Sequence, residues 1–133
     1  MPRDTRVAID GEPDIIVARQ LGRKIAVELG FSSGDLALIA TAISEIARNV
    51  IEYARRGIMT VRVLEEGAHR GVEIVVEDEG PGIANVPQAM QDGFSTGGGL
   101  GLGLPGARRL MDEFAIDSQV GVGTRVVMRK WSK

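Results

Sequence analysis

Residues 32–54, SSGDLALIATAISEIARNVIEYA, read as one long helix and decide which kind of fold the rest can join. Ser32 followed three residues later by Asp35 resembles a capping box, in which side chains satisfy the first free amides of a helix. Behind it Leu36, Ile39, Ala40, Ile43, Ala47, Val50, Ile51 and Ala54 return every three or four residues, so one apolar stripe runs over several turns. On a wheel with Ile43 at zero and about 100° per residue, the stripe stays within roughly 80°, while Glu45 and Asn49 fall near ~200° and ~240°. The two therefore share the face away from the core, one turn apart. A solvated polar face is the simplest account of such a pair, but Leu38 and Ala42 flank it, and apolar flanks suit a face that meets a ligand.

Upstream, Arg6 to Ile9 reads as a short opening strand closed by Gly11 and Pro13. Asp14 can cap a helix over residues 14–29, in which Ala18, Leu21, Gly22, Ile25 and Leu29 keep helical spacing and Gly30 is the stop. Downstream, Met59 to Leu64 and Val72 to Glu77 read as strands joined by the polar loop 65–71. A short helix is expected near Pro87 to Asp92. Another follows Pro105, which suits a first helical position, and carries Ala107, Leu110, Met111 and Phe114 on one side. The last two strands, about Ala115 to Val120 and Thr124 to Lys130, turn at Gly121-Val122-Gly123. The order β, α, α, β, β, α, β, β predicts an α+β two-layer sandwich. Its sheet should be mixed but mostly antiparallel, and covered on one face by helices.

The 133 residues suit a single domain, 1–133. With 44% hydrophobic and 26% charged residues the composition is that of a globular protein, not a disordered one. A net charge of −2 argues against a broad nucleic-acid footprint, which needs a basic excess. The absence of cysteine removes disulfides, thiolate catalysis and cysteine zinc sites, and fits a reducing cytosol. No apolar run of signal or membrane-spanning length occurs, so a soluble cytoplasmic protein is expected, with no membrane partner.

Three stretches carry chemistry. In the helix, Asn49 offers an amide oxygen suited to Mg²⁺, an ion that commonly takes one or two protein oxygens and completes its octahedron with phosphates and water. Glu45, one turn earlier, can accept the proton of a hydroxyl near that metal. In Asp78-Glu79-Gly80-Pro81-Gly82, the period of two that points Val72, Ile74 and Val76 to one face puts Asp78 there too. An inward carboxylate needs a hydrogen-bonded partner, and a turn amide would suffice. Gly80 and Gly82, however, leave expected space beside it for an adenine ring to offer its amine. The third stretch is Gly97 to Gly103, within which residues 93–99 read as a flexible lid that runs into Gly101-Leu102-Gly103-Leu104-Pro105 and a helix start. Backbone amides around Thr96, Gly97, Gly98, Gly99, Gly101, Leu102 and Gly103 could wrap phosphates at the entrance of the following helix, offsetting their charge in an acidic chain. Arg48, Arg108 and Arg109 are candidates for phosphate or acidic-partner contacts, with solvated helix residues the simpler account of at least two of them.

In this order and spacing the three stretches resemble the N, G1 and G2 boxes of the GHKL ATPases. That resemblance covers roughly Asp35 to the C-terminus and implies a Bergerat-type fold binding ATP and Mg²⁺, with Asn49 on the metal, Glu45 as base and Asp78 on adenine. It further implies that Thr124, after Gly123, supports the aspartate through water. Within the superfamily, Ala42 to Asn49, Asp92 to Thr96 running to Gly103-Leu104-Pro105-Gly106, and Arg109 to Phe114 look like the RsbT-type switch kinases of bacterial stress-signalling modules. The implied activity is phosphorylation of a serine or threonine on STAS-domain proteins, followed by binding and activation of a PPM-type phosphatase. Other nucleotide chemistries are excluded by absence. No glycine loop is followed by Lys-Ser or Lys-Thr, and neither His-Arg-Asp nor Asp-Phe-Gly occurs. The only histidine, His69, falls in a predicted hairpin loop, which argues against a phosphoacceptor role. The rival is a non-enzymatic, nucleotide-gated binding switch such as an anti-sigma factor.

Overall fold

Five strands form one sheet in the order β1-β2-β3-β5-β4, and every pairing is antiparallel. The computed structural model describes residues 4–84, 86–90 and 103–132. Its elements are β1 (Asp4–Ile9), α1 (Glu12–Glu28), α2 (Ser33–Tyr53), β2 (Gly57–Glu66), β3 (His69–Asp78), α3 (Val86–Ala89), α4 (Gly103–Leu110), β4 (Glu113–Gln119) and β5 (Gly123–Trp131). The expected α+β sandwich is present, but the described sheet has no parallel pair and is not mixed. The reason is connectivity: α1 and α2 pack as a pair joined by a short link, so the chain leaves β1, runs out and back, and enters β2 from the same end.

Local chemistry sets the helix ends. Ser32 Oγ accepts from the Asp35 amide at 3.2 Å, as the capping pattern predicts. At α1 the helix starts two residues before Asp14, with Gly11 as an extended cap that lends no side chain and Pro13 in the first turn. Proline is tolerated there because first-turn amides have no helical acceptor. Asp14 instead reaches back and accepts from the Asp10 amide at 2.8 Å. Gly30 closes α1 with φ of +84°. The α4 helix starts at Gly103, so Pro105 sits in its first turn rather than at its first position, and it ends at Leu110. There the buried Lys130 ammonium donates to the Leu110 carbonyl at 2.9 Å, and Asp112 accepts from the Trp131 amide at 2.8 Å. Phe114 therefore belongs to β4, not to the helix.

The core lies between the helices and one sheet face. Ile39, Ile43 and Ile46 of α2 meet Met59, Val61, Ile74 and Met128 of the sheet, all essentially without exposure. Each such side chain stabilises the fold by about 1.5–3 kcal/mol relative to leaving it in water. The β2–β3 hairpin is longer than the sequence suggests. The turn is confined to Gly67-Ala68, and Glu65, Glu66, His69 and Arg70 all pair within the ladder.

The opposite face holds a row of alternating charge across all five strands: Asp4, Arg62, Glu73, Arg129 and Glu113 stand side by side. Arg62 binds Asp4 at 3.0 Å and Glu73 at 3.2 Å, while Arg129 binds Glu73 at 2.8 Å and Glu113 at 3.3 Å. The Arg62 hydrogen bond holds the Asp4 carboxyl below the usual carboxylate range. What Asp4 contributes is thus present above the ordinary carboxylate pKa and lost as pH falls through the lowered one. Glu73, only 5% exposed, sits between two guanidiniums that are each nearly half exposed. Glu73→Ala is expected to cost about 1–3 kcal/mol, since hydrogen bonds to charged groups are lost while both arginines can rehydrate. A lower urea midpoint with an unchanged slope checks this; an unchanged midpoint would show the row to be neutral.

Candidate nucleotide site

A cavity of about 300 Å³ opens between the second half of α2, the ends of β3 and β5, and the first turn of α4. That volume is at the lower end of ligand pockets, roughly 300–1,000 Å³. Its walls are apolar, with Ile46, Val76, Leu104 and Val126 among them, and four residues with polar groups line it: Asn49, Tyr53, Asp78 and Thr124.

Asp78 ends β3 opposite Thr124. Its Oδ1 accepts from the Gly80 amide at 2.9 Å and from the Thr124 amide at 3.3 Å. The turn therefore sets the carboxylate's orientation, and Oδ2 is the oxygen to offer a donor in the cavity. Thr124 is held by a residue the sequence reasoning missed. Ser118 Oγ lies 2.7 Å from Thr124 Oγ1, accepts from the Ile83 amide at 2.8 Å and donates to the Gly123 carbonyl at 3.2 Å. With the Ser118 proton on Gly123, Thr124 gives its own proton to Ser118 and turns lone pairs toward the cavity. A signal was available: Phe114 and Ile116 alternate inward along β4, and Ser118 is the polar residue at the next inward position.

The glycines act differently from the expectation. A Cβ on Gly80 would stand 2.5 Å from Ala54 Cβ, and one on Gly82 would meet the backbone of Gln119 and Val120. The room beside both is filled by protein, the end of α2 and the β4–β5 hairpin, and is not left open for a ring; only Gly82 of the two lines the cavity. Gly123 is more constrained still, with φ of +147° and its missing Cβ directed at the Asp78 carbonyl. Gly123→Ala should destabilise the fold by about 2–4 kcal/mol and weaken any ligand held by Asp78. Chemical denaturation beside calorimetry checks both; wild-type values in each would contradict this account of the turn.

Glu45 corrects the helical-wheel expectation. It is only 5% exposed, because α4 covers the side of α2 that faces away from the sheet core, and its Oε1 accepts from the Gly103 amide at 3.2 Å. It does not line the cavity, whereas Asn49, one turn on, does. Tyr53, a further turn along, was also missed: it is half exposed at the cavity, and burial first, then the Glu52 charge, pushes its phenol pKa up. The recurrence of Glu45, Asn49 and Tyr53 every four residues was its signal. Arg108 and Arg109 lie in the last turn of α4, away from Gly103, where their charge suits the helix C-terminus. His69 opens β3 at the end opposite Asp78. Thr96, Gly97, Gly98, Gly99, Gly101 and Leu102, with Gln91 and Asp92 of the expected third helix, lie outside the described residues.

The arrangement fits an adenine nucleotide: an apolar cavity, an oriented carboxylate for an exocyclic amine, and a hydroxyl oxygen beside it. It fits Mg²⁺ only through an ion that shares its ligands with phosphate. Among the described residues no group of three or more His, Cys, Asp or Glu could hold a metal, and Asn49 is the oxygen donor at hand.

Comparison with known proteins agrees. Residues 13–130 match the family described as Histidine kinase-like ATPase domain. The serine/threonine-protein kinase RsbT of Bacillus subtilis (strain 168) is 51% identical over 125 residues, which cover 94% of each chain. The anti-sigma F factor of Thermoanaerobacter sp. (strain X514) is 32% identical over 120 residues, 86% of this chain and 82% of that one. A crystal structure of the RsbU and RsbW domains of a Mycobacterium tuberculosis protein superposes over all of this chain with a TM-score of 0.69 at 21% identity, a likeness of fold. This chain spans 33% of that one. The chain belongs to the family of histidine kinase-like ATPase domains, the GHKL group.

Proposed function

We propose that this protein is a serine/threonine kinase that transfers phosphate from ATP to STAS-domain regulators and, once released from them, binds and activates a PPM-type phosphatase. The observation that carries the nucleotide half is Asp78, inward-facing and fixed by two backbone amides at the end of an apolar slot. Kinase chemistry is supported by the half-identity with a named serine/threonine kinase over nearly the whole of both chains.

Each residue has a defined task. Asp78 accepts from the exocyclic amine of adenine, and Thr124 offers lone pairs beside it. Asn49 gives an amide oxygen to Mg²⁺, which when bound offsets the charge of the phosphates. The start of α4, whose Leu104 lines the cavity, is the end at which helix amides would meet the transferring group. Glu45 takes the proton of the incoming serine hydroxyl as its oxygen bonds the terminal phosphorus and the bond to ADP breaks.

The second reading is an anti-sigma factor, favoured by the anti-sigma F relatives. Incubation with labelled ATP and a STAS-domain protein separates the two. Transferred label supports the kinase; co-elution with a sigma factor and no transfer supports the other. Among the described residues no helix is long and apolar enough to cross a membrane, which is compatible with the proposed cytoplasmic setting.

A further inference from the structure

The outward face of α1 is apolar toward its ends and cationic between them. Ile16, Val17 and Val27 are each about half exposed, although aliphatic side chains of this kind are among those a chain most often buries. Arg19, Arg23 and Lys24 stand exposed on the same side and make no hydrogen bond or ion pair with any described residue. At about 100° per residue, Ile16, Gln20, Arg23 and Val27 fall within roughly 60° of one another, with Val17 and Lys24 on one flank and Arg19 on the other. Their spacing of four, three and four residues is that of a seam between two helices. The carboxylates of α1 do not neutralise the cations: Glu12 stands 3.9 Å from Arg48, Asp14 accepts from the Asp10 amide, and Glu28 is the last residue of the helix.

The inner side of α1 fixes where this stripe points. Ile15, Ala18, Gly22 and Ala26 are buried, and a Cβ on Gly22 would strike Ile43 of α2, so the two helices meet there in close contact. On its other side α2 carries Glu45, under α4, and the cavity, which among the described residues no part of α1 lines. A helix seated on the α1 stripe is therefore separated from Glu45 by α2, and is not the segment whose hydroxyl receives phosphate. Charge then selects the occupant. A second copy would set three cations against three, and a membrane surface would be met through Trp, Phe or Leu side chains that this face does not carry. A helix with apolar residues spaced to meet Ile16 and Val27, and with carboxylates between them, satisfies both parts of the stripe.

We infer that the outer stripe of α1 docks an acidic amphipathic helix of the phosphatase, on a surface apart from the one that takes the phosphoacceptor. This assignment rests on the partner-switching reading above and gives its second step a place on the molecule.

The test sets the two partners side by side. The PPM-type phosphatase with its regulatory region, from the same operon, is titrated into the chain by calorimetry, and phosphate transfer to the STAS-domain protein is measured separately with ATP. Arg23→Glu and the double variant Ile16→Ser with Val27→Ser should each weaken phosphatase binding by about tenfold or more, while transfer to the STAS-domain protein stays within about twofold. Thermal melts confirm that these exposed positions leave the fold intact. Added salt should weaken binding of the wild type more than that of Arg23→Glu. Arg6→Glu, the same change of charge on strand β1, should bind the phosphatase as the wild type does. Wild-type phosphatase binding by Arg23→Glu or by the double variant overturns the inference while leaving the partner-switching reading intact. So does an equal loss in Arg6→Glu, which would make the effect one of net charge, or a loss confined to the STAS-domain protein, which would place the acceptor on α1. Binding of the wild type to anionic phospholipid vesicles that Arg23→Glu abolishes, with phosphatase binding unchanged, would assign the stripe to a membrane instead. A wild type that forms no complex with the phosphatase overturns both the second step of the proposed function and this surface.

Discussion

Asp78→Asn is expected to weaken ATP and ADP binding by about 100-fold or more, roughly 3 kcal/mol, in a protein that stays folded. The asymmetry comes from the two ends of the carboxylate. Oδ1 accepts the Gly80 and Thr124 amides, and an asparagine oxygen can take over both bonds. The other position then becomes an NH₂ group facing the exocyclic amine of the base, so two donors oppose each other in a part-buried apolar slot. Calorimetry with ADP reads the loss, and a thermal melt without ligand confirms the fold. Affinity within twofold of wild type would mean that the base is recognised elsewhere.

Glu45→Gln should lower kcat for phosphotransfer by about 10²–10⁴ while ATP affinity stays within about threefold. Glutamine retains an oxygen to accept the Gly103 amide, so the contact between α2 and α4 persists and only proton acceptance is removed. Alanine would be a poorer choice, because it would also empty a nearly fully buried position under α4. Single-turnover transfer to the acceptor protein separates the step from product release. A rate equal to wild type would remove Glu45 from the chemistry and leave it as an anchor for α4.

What was legible in the chain was what depends on near neighbours. The Ser32 cap, the stripe of α2 and the paired strands either side of Gly67 and Gly121 all follow from residues within a few positions. Asp78 facing inward also emerged, because strand alternation is local, whereas Thr124 beside it was implied by the family resemblance alone. What stayed hidden depends on distant chain. The Glu45 face looked open because α4, which covers it, arrives 58 residues later. Gly80 and Gly82 looked like spacers for a ring because the atoms that fill their space belong to Ala54 and to the β4–β5 hairpin. The strands of the first hairpin looked short since their last residues face solvent and carry no alternation. The row from Asp4 to Glu113 becomes visible only when the register of all five strands is known.

The floor of the proposed base site is stitched together from remote parts: Asp78 holds Thr124 from 46 residues away, and Ser118 holds Ile83 from 35. Without the final β4–β5 ribbon there is no floor. Ligand and ribbon must then reinforce each other, and nucleotide at a hundred times its Kd should resist loss of that ribbon by about 2.7 kcal/mol. Occupancy in the cell would thus keep the C-terminal segment seated, and depletion of nucleotide would expose it first to proteases.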